Sequence, residues 1–415
     1  MLPSTGPDGG LRADFLGSAL IGAPVGGTAR EWEIVMKVLV LGAGFGGLEL
    51  TTALSEALGD EVEVTLIDKG EGFVFGFSKL DVMFGRTLPE QVVHPYDDLV
   101  KDGVTFVRAI VTAIDPASKR VETTAGTFEG DVLVVALGAD LHPEATPGLV
   151  EGGHEFYTVA GAFALREVLQ EFPGGRVIVG VTSTPFKCPP APSETALLVH
   201  DLLTERGIRE RSEVSLVMPL GVPIPPSPAA SAALLEAFAA RAIAWHPEEL
   251  IVEVDPEEKV VICASGARMP FDLFLAVPVH RAPVVVQESG MCVDGWIPVD
   301  PQTLETSYPG VYAVGDVTSV GTPKAGVFAE GQASVVAREL ISIARGEQPS
   351  TAYDGTGICY LEFGDDQVAK VQVTFLSGQA PHGDMEGPSA LLAQDKATFG
   401  SSRVRRWFDR EWTTT

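Results

Sequence analysis

The sequence predicts an α/β protein built from two Rossmann-like halves, each with a β-meander, followed by a small C-terminal α+β region. Two internal repeats carry that expectation. A βαβ opening at residues 37–47 recurs 140 residues later at 176–188, with the apolar strand of Val38, Leu39, Val40 and Leu41 matched by Val177, Ile178, Val179 and Val181. Asp115, Pro116, Lys119, Val121 and Gly126 then recur as Asp255, Pro256, Lys259, Val261 and Gly266, each set ahead of a second apolar strand.

The first copy has the order strand, glycine turn, helix, strand. Gly42 permits the tight turn, Gly44 lets backbone approach a pyrophosphate, and Gly47 lets the helix at 48–58 pack on the strand; Phe45 and Gly46 complete the loop. The helix N-terminus then faces the phosphates. The next strand, 61–67, ends on Asp68, placed to accept hydrogen bonds from a ribose, with Lys69 after it. Short strands at 104–130 surround the turn 115–118, and 131–138 reads as a buried strand returning to the sheet and closing on Gly138.

The second copy has lost those features. Thr182, Ser183, Thr184, Pro185, Phe186 and Lys187 stand where the glycines were, Cys188 follows, and Pro219 replaces the acid at the end of the matching strand, 213–218. Two separate parts of a nicotinamide site are missing. Beyond it, 303–316 reads as a turn, a short strand and the pair Gly315–Asp316. These features divide the chain into a tail at 1–35, a discontinuous first domain at 36–150 and 278–350, a second domain at 151–277 and a C-terminal region at 351–415.

A length of 415 residues, 45% of them hydrophobic, suffices for several buried cores. No apolar run approaches the roughly 20 residues that span a bilayer. The net charge of −27 repels phosphate backbones and argues against nucleic-acid binding. Four cysteines without CxxC spacing make neither a disulfide scaffold nor a metal site, and they fit a reducing, cytoplasmic compartment. Residues 1–35 are rich in Gly, Pro and Ala, carry acids where an export signal needs positive charge, and are expected to be disordered. A natural start at Met36 stays open.

A reactive thiol needs a lowered pKa and a fixed position. Cys188 has Lys187 beside it, is stiffened by Pro189, Pro190 and Pro192, and precedes a helix expected to open near Ser193. Cys359 follows Gly355 and Gly357, although its apolar neighbours also suit a plain strand. Cys263, in an apolar meander strand, and Cys292, in a turn, are expected to be inert.

The segment closing on Gly315 and Asp316 resembles the ribityl-binding signature of the two-dinucleotide-domain flavoproteins, the glutathione reductase superfamily, and 132–138 resembles their second flavin motif. That resemblance implies non-covalent FAD, held by Gly42, Gly44, Phe45, Gly46, Gly47, Asp68, Lys69, Gly138, Gly315, Asp316 and Lys324. Disulfide reductases of this superfamily carry a cysteine pair shortly after the first acid; residues 72–78 contain none. Three other segments, 186–194, 322–330 and 357–364, resemble in order the sulfide:quinone oxidoreductases and flavocytochrome c sulfide dehydrogenases.

The second resemblance implies a Cys188/Cys359 redox pair whose disulfide is opened by sulfide or another low-valent sulfur compound. Cys359 is then the flavin-side thiolate that passes electrons to FAD, and a quinone or other electron carrier takes them. Lys324 is implied beside the flavin pyrimidine edge and Glu194 as proton acceptor; a surface lysine and a helix-dipole acid are the plain alternatives. A second copy of the chain, as homodimer partner, is among the expected partners. The cluster of Lys396, Phe399, Arg403, Arg405, Arg406, Trp407, Phe408 and Trp412 reads either as a peripheral contact with the inner face of the plasma membrane or as simple packing. The third cysteine that many quinone-linked relatives carry before Cys188 is absent. Two other functions stand beside this one: a type II NADH dehydrogenase-like reductase, which needs intact glycines in the second unit, and a non-catalytic FAD-binding redox sensor.

Overall fold

The computed structural model describes residues 35–348, 352–376 and 378–412. The expected tail lies, but for Val35, outside these residues. In the first half, β1 (Met36–Leu41) leads through α1 (Phe45–Leu58) to β2 (Val62–Asp68). After α2 (Gly76–Met83) come β3 (Val104–Arg108), a meander of β4 (Val111–Asp115), β5 (Arg120–Thr123) and β6 (Gly126–Glu129), and β7 (Val132–Val135). The sheet is wholly parallel, with β1 between β2 and β7, β3 outside β2, and Val311–Ala313 outside β7. Val38, Leu39, Val40 and Leu41 are all buried, because helices and meander cover both faces. Helix α1 opens at Phe45, three residues ahead of the expected start, immediately after its cap Gly44.

The second half consists of β8 (His154–Glu155), α3 (Val159–Glu171), β9 (Arg176–Val181), α4 (Ala191–Glu205), β10 (Glu213–Val217), α5 (Pro228–Ala240) and β11 (Ile243–His246). A second meander follows, β12 (Ile251–Asp255), β13 (Val260–Cys263) and β14 (Arg268–Pro270), and then β15 (Leu273–Val277). Here β15, β9, β10 and β11 take the places that β7, β1, β2 and β3 hold in the first sheet. The register differs by two residues: Val38 opposes Val132 in one sheet, and Ile178, 140 residues on, opposes Phe274 rather than Asp272 in the other. The duplication is thus one of topology as well as sequence.

The chain then supplies β16 (Val311–Ala313) and the long α6 (Gly326–Ala344), which packs on α1. Strands β17 (Thr356–Gly364), β18 (Gln367–Thr374) and β19 (His382–Ser389) form an antiparallel sheet capped by α7 (Ala390–Phe408). Helix α7 bears on the two readings of the basic, aromatic C-terminus. Trp407 and Phe408 are buried, Trp407 Nε1 donates to Glu49 at 3.1 Å, and Trp412 stacks on Phe75. Lys396 pairs with Glu362, Arg403 with Glu330 and Arg406 with Glu49 and Glu56. Most of these residues are packed and paired internally, as the packing reading expects, while Arg405 is exposed and pairs with Glu411. Among the described residues no helix is long and apolar enough to cross a membrane.

Candidate active site

The glycine loop of the first half is held rigidly and left open on one side. Ala43 is clamped at both ends, its N–H donating to Asp68 at 2.7 Å and its carbonyl accepting from the buried Tyr96 hydroxyl at 2.8 Å. Asp68 also accepts from Gly70 N, so each of its oxygens already takes one backbone amide and its expected ribose role is shared with loop bracing. Lys69 is exposed beside it. A Cβ on Gly42 would meet Ala136 O at 2.4 Å and one on Gly47 would meet Gly42 O at 1.8 Å, whereas one on Gly44 or on Gly138 would meet nothing within 4 Å. The loop therefore backs onto protein at Gly42 and Gly47 and faces free space at Gly44.

Asp316 follows β16. Its Oδ1 is buried and has no hydrogen-bond partner among the described residues. Burial raises its pKa against the opposing pull of Lys187, Lys324 and Lys79. Gly315, at φ +80°, donates its N–H to Gln332. Lys324 is buried rather than on the surface: its ammonium donates to the carbonyls of Asp316 and Thr318 and lies 3.3 Å from the Trp296 ring centroid. Burial draws its pKa down to about 8.

In the second half, residues 182–190 separate strand from helix where residues 42–44 suffice in the first. Thr182 turns back onto β15, its N–H and hydroxyl both donating to Val277 O, and Phe186 fills the space beneath the loop. Helix α4 opens at Ala191 instead of near Ser193, because Pro190 and Pro192 preset a first turn. The loop is stitched to the segment around Lys324: Cys188 N donates to Lys324 O at 2.7 Å, and Lys187 forms an isolated parallel bridge with Lys324. Cys188 itself adopts φ +47°.

Cys188 from this loop, Glu194 from α4 and Cys359 from β17 share one neighbourhood. Cys188 reaches solvent-accessible space yet lies deep in the protein mass, and all four cysteines are free thiols. Its expected low pKa is corrected. Burial first, then Glu194 and Cys359, push the thiol well above its ordinary value. Lys187 gives little relief because its ammonium turns away to Ala139 O; Lys79 and the Ala191 amide are what oppose the rise. Burial and Glu194 likewise push Cys359 to about 12. Glu194 is 5% exposed, accepts from Glu362 N at 3.0 Å, and is raised by burial to about 7. Cys263 and Cys292 lie apart from this group, Cys263 raised by burial to about 11. A separate cavity of about 380 Å³ at the far end of α4 has an acidic wall that includes Asp201, Glu205, Asp365 and Asp366, and contains none of these residues.

Residues 36–334 match the pyridine nucleotide-disulphide oxidoreductase family. The chain belongs to that family. It is an FAD-dependent oxidoreductase. It is 25% identical to the mitochondrial sulfide:quinone oxidoreductase of Mus musculus over 80% of this chain and 76% of the mouse protein. A type II NADH:quinone oxidoreductase of Staphylococcus saprophyticus is 37% identical, over 32% of this chain and 34% of its own length. Among solved structures, the sulfide:quinone oxidoreductase of Aquifex aeolicus superposes with a TM-score of 0.78 at 22% identity, covering 90% of this chain and 92% of that one.

The residues present fit FAD. The unfilled Oδ1 of Asp316, the open face at Gly44, and the first-turn amides of α1, whose cap Gly44 offers no side chain, are all acceptors or donors awaiting a polar ligand. Several site residues escape a sequence reading. Tyr96 clamps the glycine loop, Lys79 faces Cys188, and Arg86 with Lys396 holds Glu362. Lys79 alone left a signal, a single cation within the apolar stretch 73–84.

Proposed function

We propose that this oxidoreductase oxidises sulfide, or a related low-valent sulfur compound, at a Cys188/Cys359 redox pair and delivers the electrons through FAD to a quinone or another carrier. The convergence of Cys188, on a loop bonded to Lys324, with Glu194 of α4 and Cys359 of β17 carries this reading. In the oxidised pair, hydrosulfide attacks Cys188 Sγ. The S–S bond breaks, a persulfide forms on Cys188, and Cys359 leaves as the thiolate. Glu194, poised near neutrality, takes the proton that the sulfur compound or the resting thiol gives up. FAD, held by the glycine loop, Gly138, Gly315 and Asp316, supplies two-electron acceptance and onward transfer. A quinone acceptor brings the chain to a membrane surface.

The loop 182–190 argues against NADH as donor, since Phe186 and the returning Thr182 occupy the place of a glycine turn. The sequence likeness to the Staphylococcus saprophyticus type II NADH:quinone oxidoreductase covers about a third of this chain. Anaerobic mixing with sulfide tests the proposal: wild type loses its flavin absorbance, while Cys188→Ser and Cys359→Ser bind FAD and stay oxidised. Sulfide-driven turnover in both variants would overturn it.

A further inference from the structure

Lys79 is the one ammonium near Cys188 that the established fold leaves without a purpose. It lies half-buried on α2, and among the described residues its only side-chain hydrogen bond goes to the carbonyl of Tyr157. Two N–H donors stay unused. Burial lowers its pKa to about 8, and Lys187, Cys188, Glu155 and Asp316 are the charged or titratable groups around it. The other two lysines of the cluster are committed, Lys187 to Ala139 O and Lys324 to two carbonyls and a ring.

Tyr157 supplies the second observation. Its side chain is 5% exposed, and its hydroxyl has no hydrogen-bond partner among the described residues. Buried hydroxyls are nearly always paired. The ring is fixed, edge-on to His280 at 5.2 Å, and its backbone N–H is held by Glu155 at 2.7 Å. Cys188 and Glu194 are its electrostatic neighbours, and both raise its pKa after burial. Leu80, Met83, Tyr157, Phe186 and Ala191 belong to one apolar cluster against which Cys359 packs, so α2, the Tyr157 segment and the cysteine loop contribute to the same core.

We propose that Lys79 and Tyr157 form an anion subsite over Cys188 that holds a small sulfur anion, hydrosulfide on arrival and the persulfide it leaves. The subsite deepens the function proposed above and rests on it. A neutral thiol needs neither an ammonium with spare donors nor an unfilled hydroxyl beside it. An anionic sulfur uses both: the charge stabilises it in a poorly solvated place, and the hydroxyl donates to it. The same residue thereby anchors the lysine through its carbonyl and completes the subsite through its hydroxyl.

The test is alkylation of the reduced holoenzyme by iodoacetate and by iodoacetamide, one anionic and one neutral, with modification at Cys188 read by peptide mass spectrometry. Lys79→Gln lowers the iodoacetate-to-iodoacetamide rate ratio about tenfold, the order that loss of one neighbouring unit charge gives. Lys79→Arg keeps the ratio, and Tyr157→Phe slows both reagents without changing it. A wild-type ratio in Lys79→Gln overturns the subsite. Should that variant lose its flavin, thiocyanate decides the matter in wild type: protection of Cys188 from iodoacetamide supports the subsite and lack of protection overturns it. Failure of the sulfur chemistry itself shows separately, as sulfide-driven flavin reduction in Cys188→Ser.

Discussion

Replacing Glu194 by Gln separates chemistry from folding at one residue. Glu194 is 5% exposed, and burial raises it from its ordinary 4.5 to about 7 although Glu362 N donates to it and Lys396 and Arg86 oppose the rise. A carboxyl raised on folding destabilises the native state where the unfolded chain would be ionised. Stability therefore falls as pH rises from 4.5 towards 7, and the deficit is complete above that. For this shift it amounts to roughly 3 kcal/mol. Gln keeps an acceptor for Glu362 N and carries no charge. Glu194→Gln should thus be more stable than wild type at pH 8, by up to about 3 kcal/mol, and nearly equal to it at pH 4.5. The same change removes the proton acceptor. Flavin reduction by sulfide in wild type accelerates as pH rises through about 7; the variant loses that limb and about 10²-fold or more in rate. Sulfide's own ionisation is common to both proteins and cancels in their ratio. Denaturant melts at two pH values and anaerobic stopped-flow absorbance provide the data. A variant destabilised at pH 8, or a wild-type-to-variant rate ratio that does not change as pH rises through about 7, refutes the reasoning.

Other outcomes follow from the same geometry. Lys396→Met strips one of two cations from the buried Glu362 and should cost about 3 kcal/mol in urea unfolding, with Lys396→Met/Glu362→Gln more stable than the single variant; the reverse order contradicts the buried-pair account. Gly44→Val should fold with a wild-type circular dichroism melt yet purify without flavin, since its side chain enters only the open face. Gly47→Ala, whose Cβ would lie 1.8 Å from Gly42 O, should melt far lower or be insoluble, and equal flavin content in both variants would show the loop is not the cradle.

The duplication, the parallel strands and the flavin loop were legible in the sequence because each rests on local pattern: apolar runs for strands buried on both faces, and glycines where no Cβ fits. Helix starts were displaced by a few residues, at Phe45 and Ala191, where a cap glycine and a proline pair set the boundary. The electrostatics of the site were not legible. Lys187 is adjacent to Cys188 in sequence but bonds elsewhere, and Lys79, more than a hundred residues away, takes its place. The C-terminal basic and aromatic residues read equally as an interface or as packing, because the partners of Trp407, Lys396 and Arg403, namely Glu49, Glu362 and Glu330, are distant in sequence.

The central claim is that thiol delivery replaces hydride delivery in the second half of the duplication. Anaerobic titration of the bound flavin with sulfide and, separately, with NADH tests it most directly. The account predicts bleaching by sulfide at neutral pH and an unchanged spectrum with NADH; rapid bleaching by NADH, with sulfide inert, would contradict it.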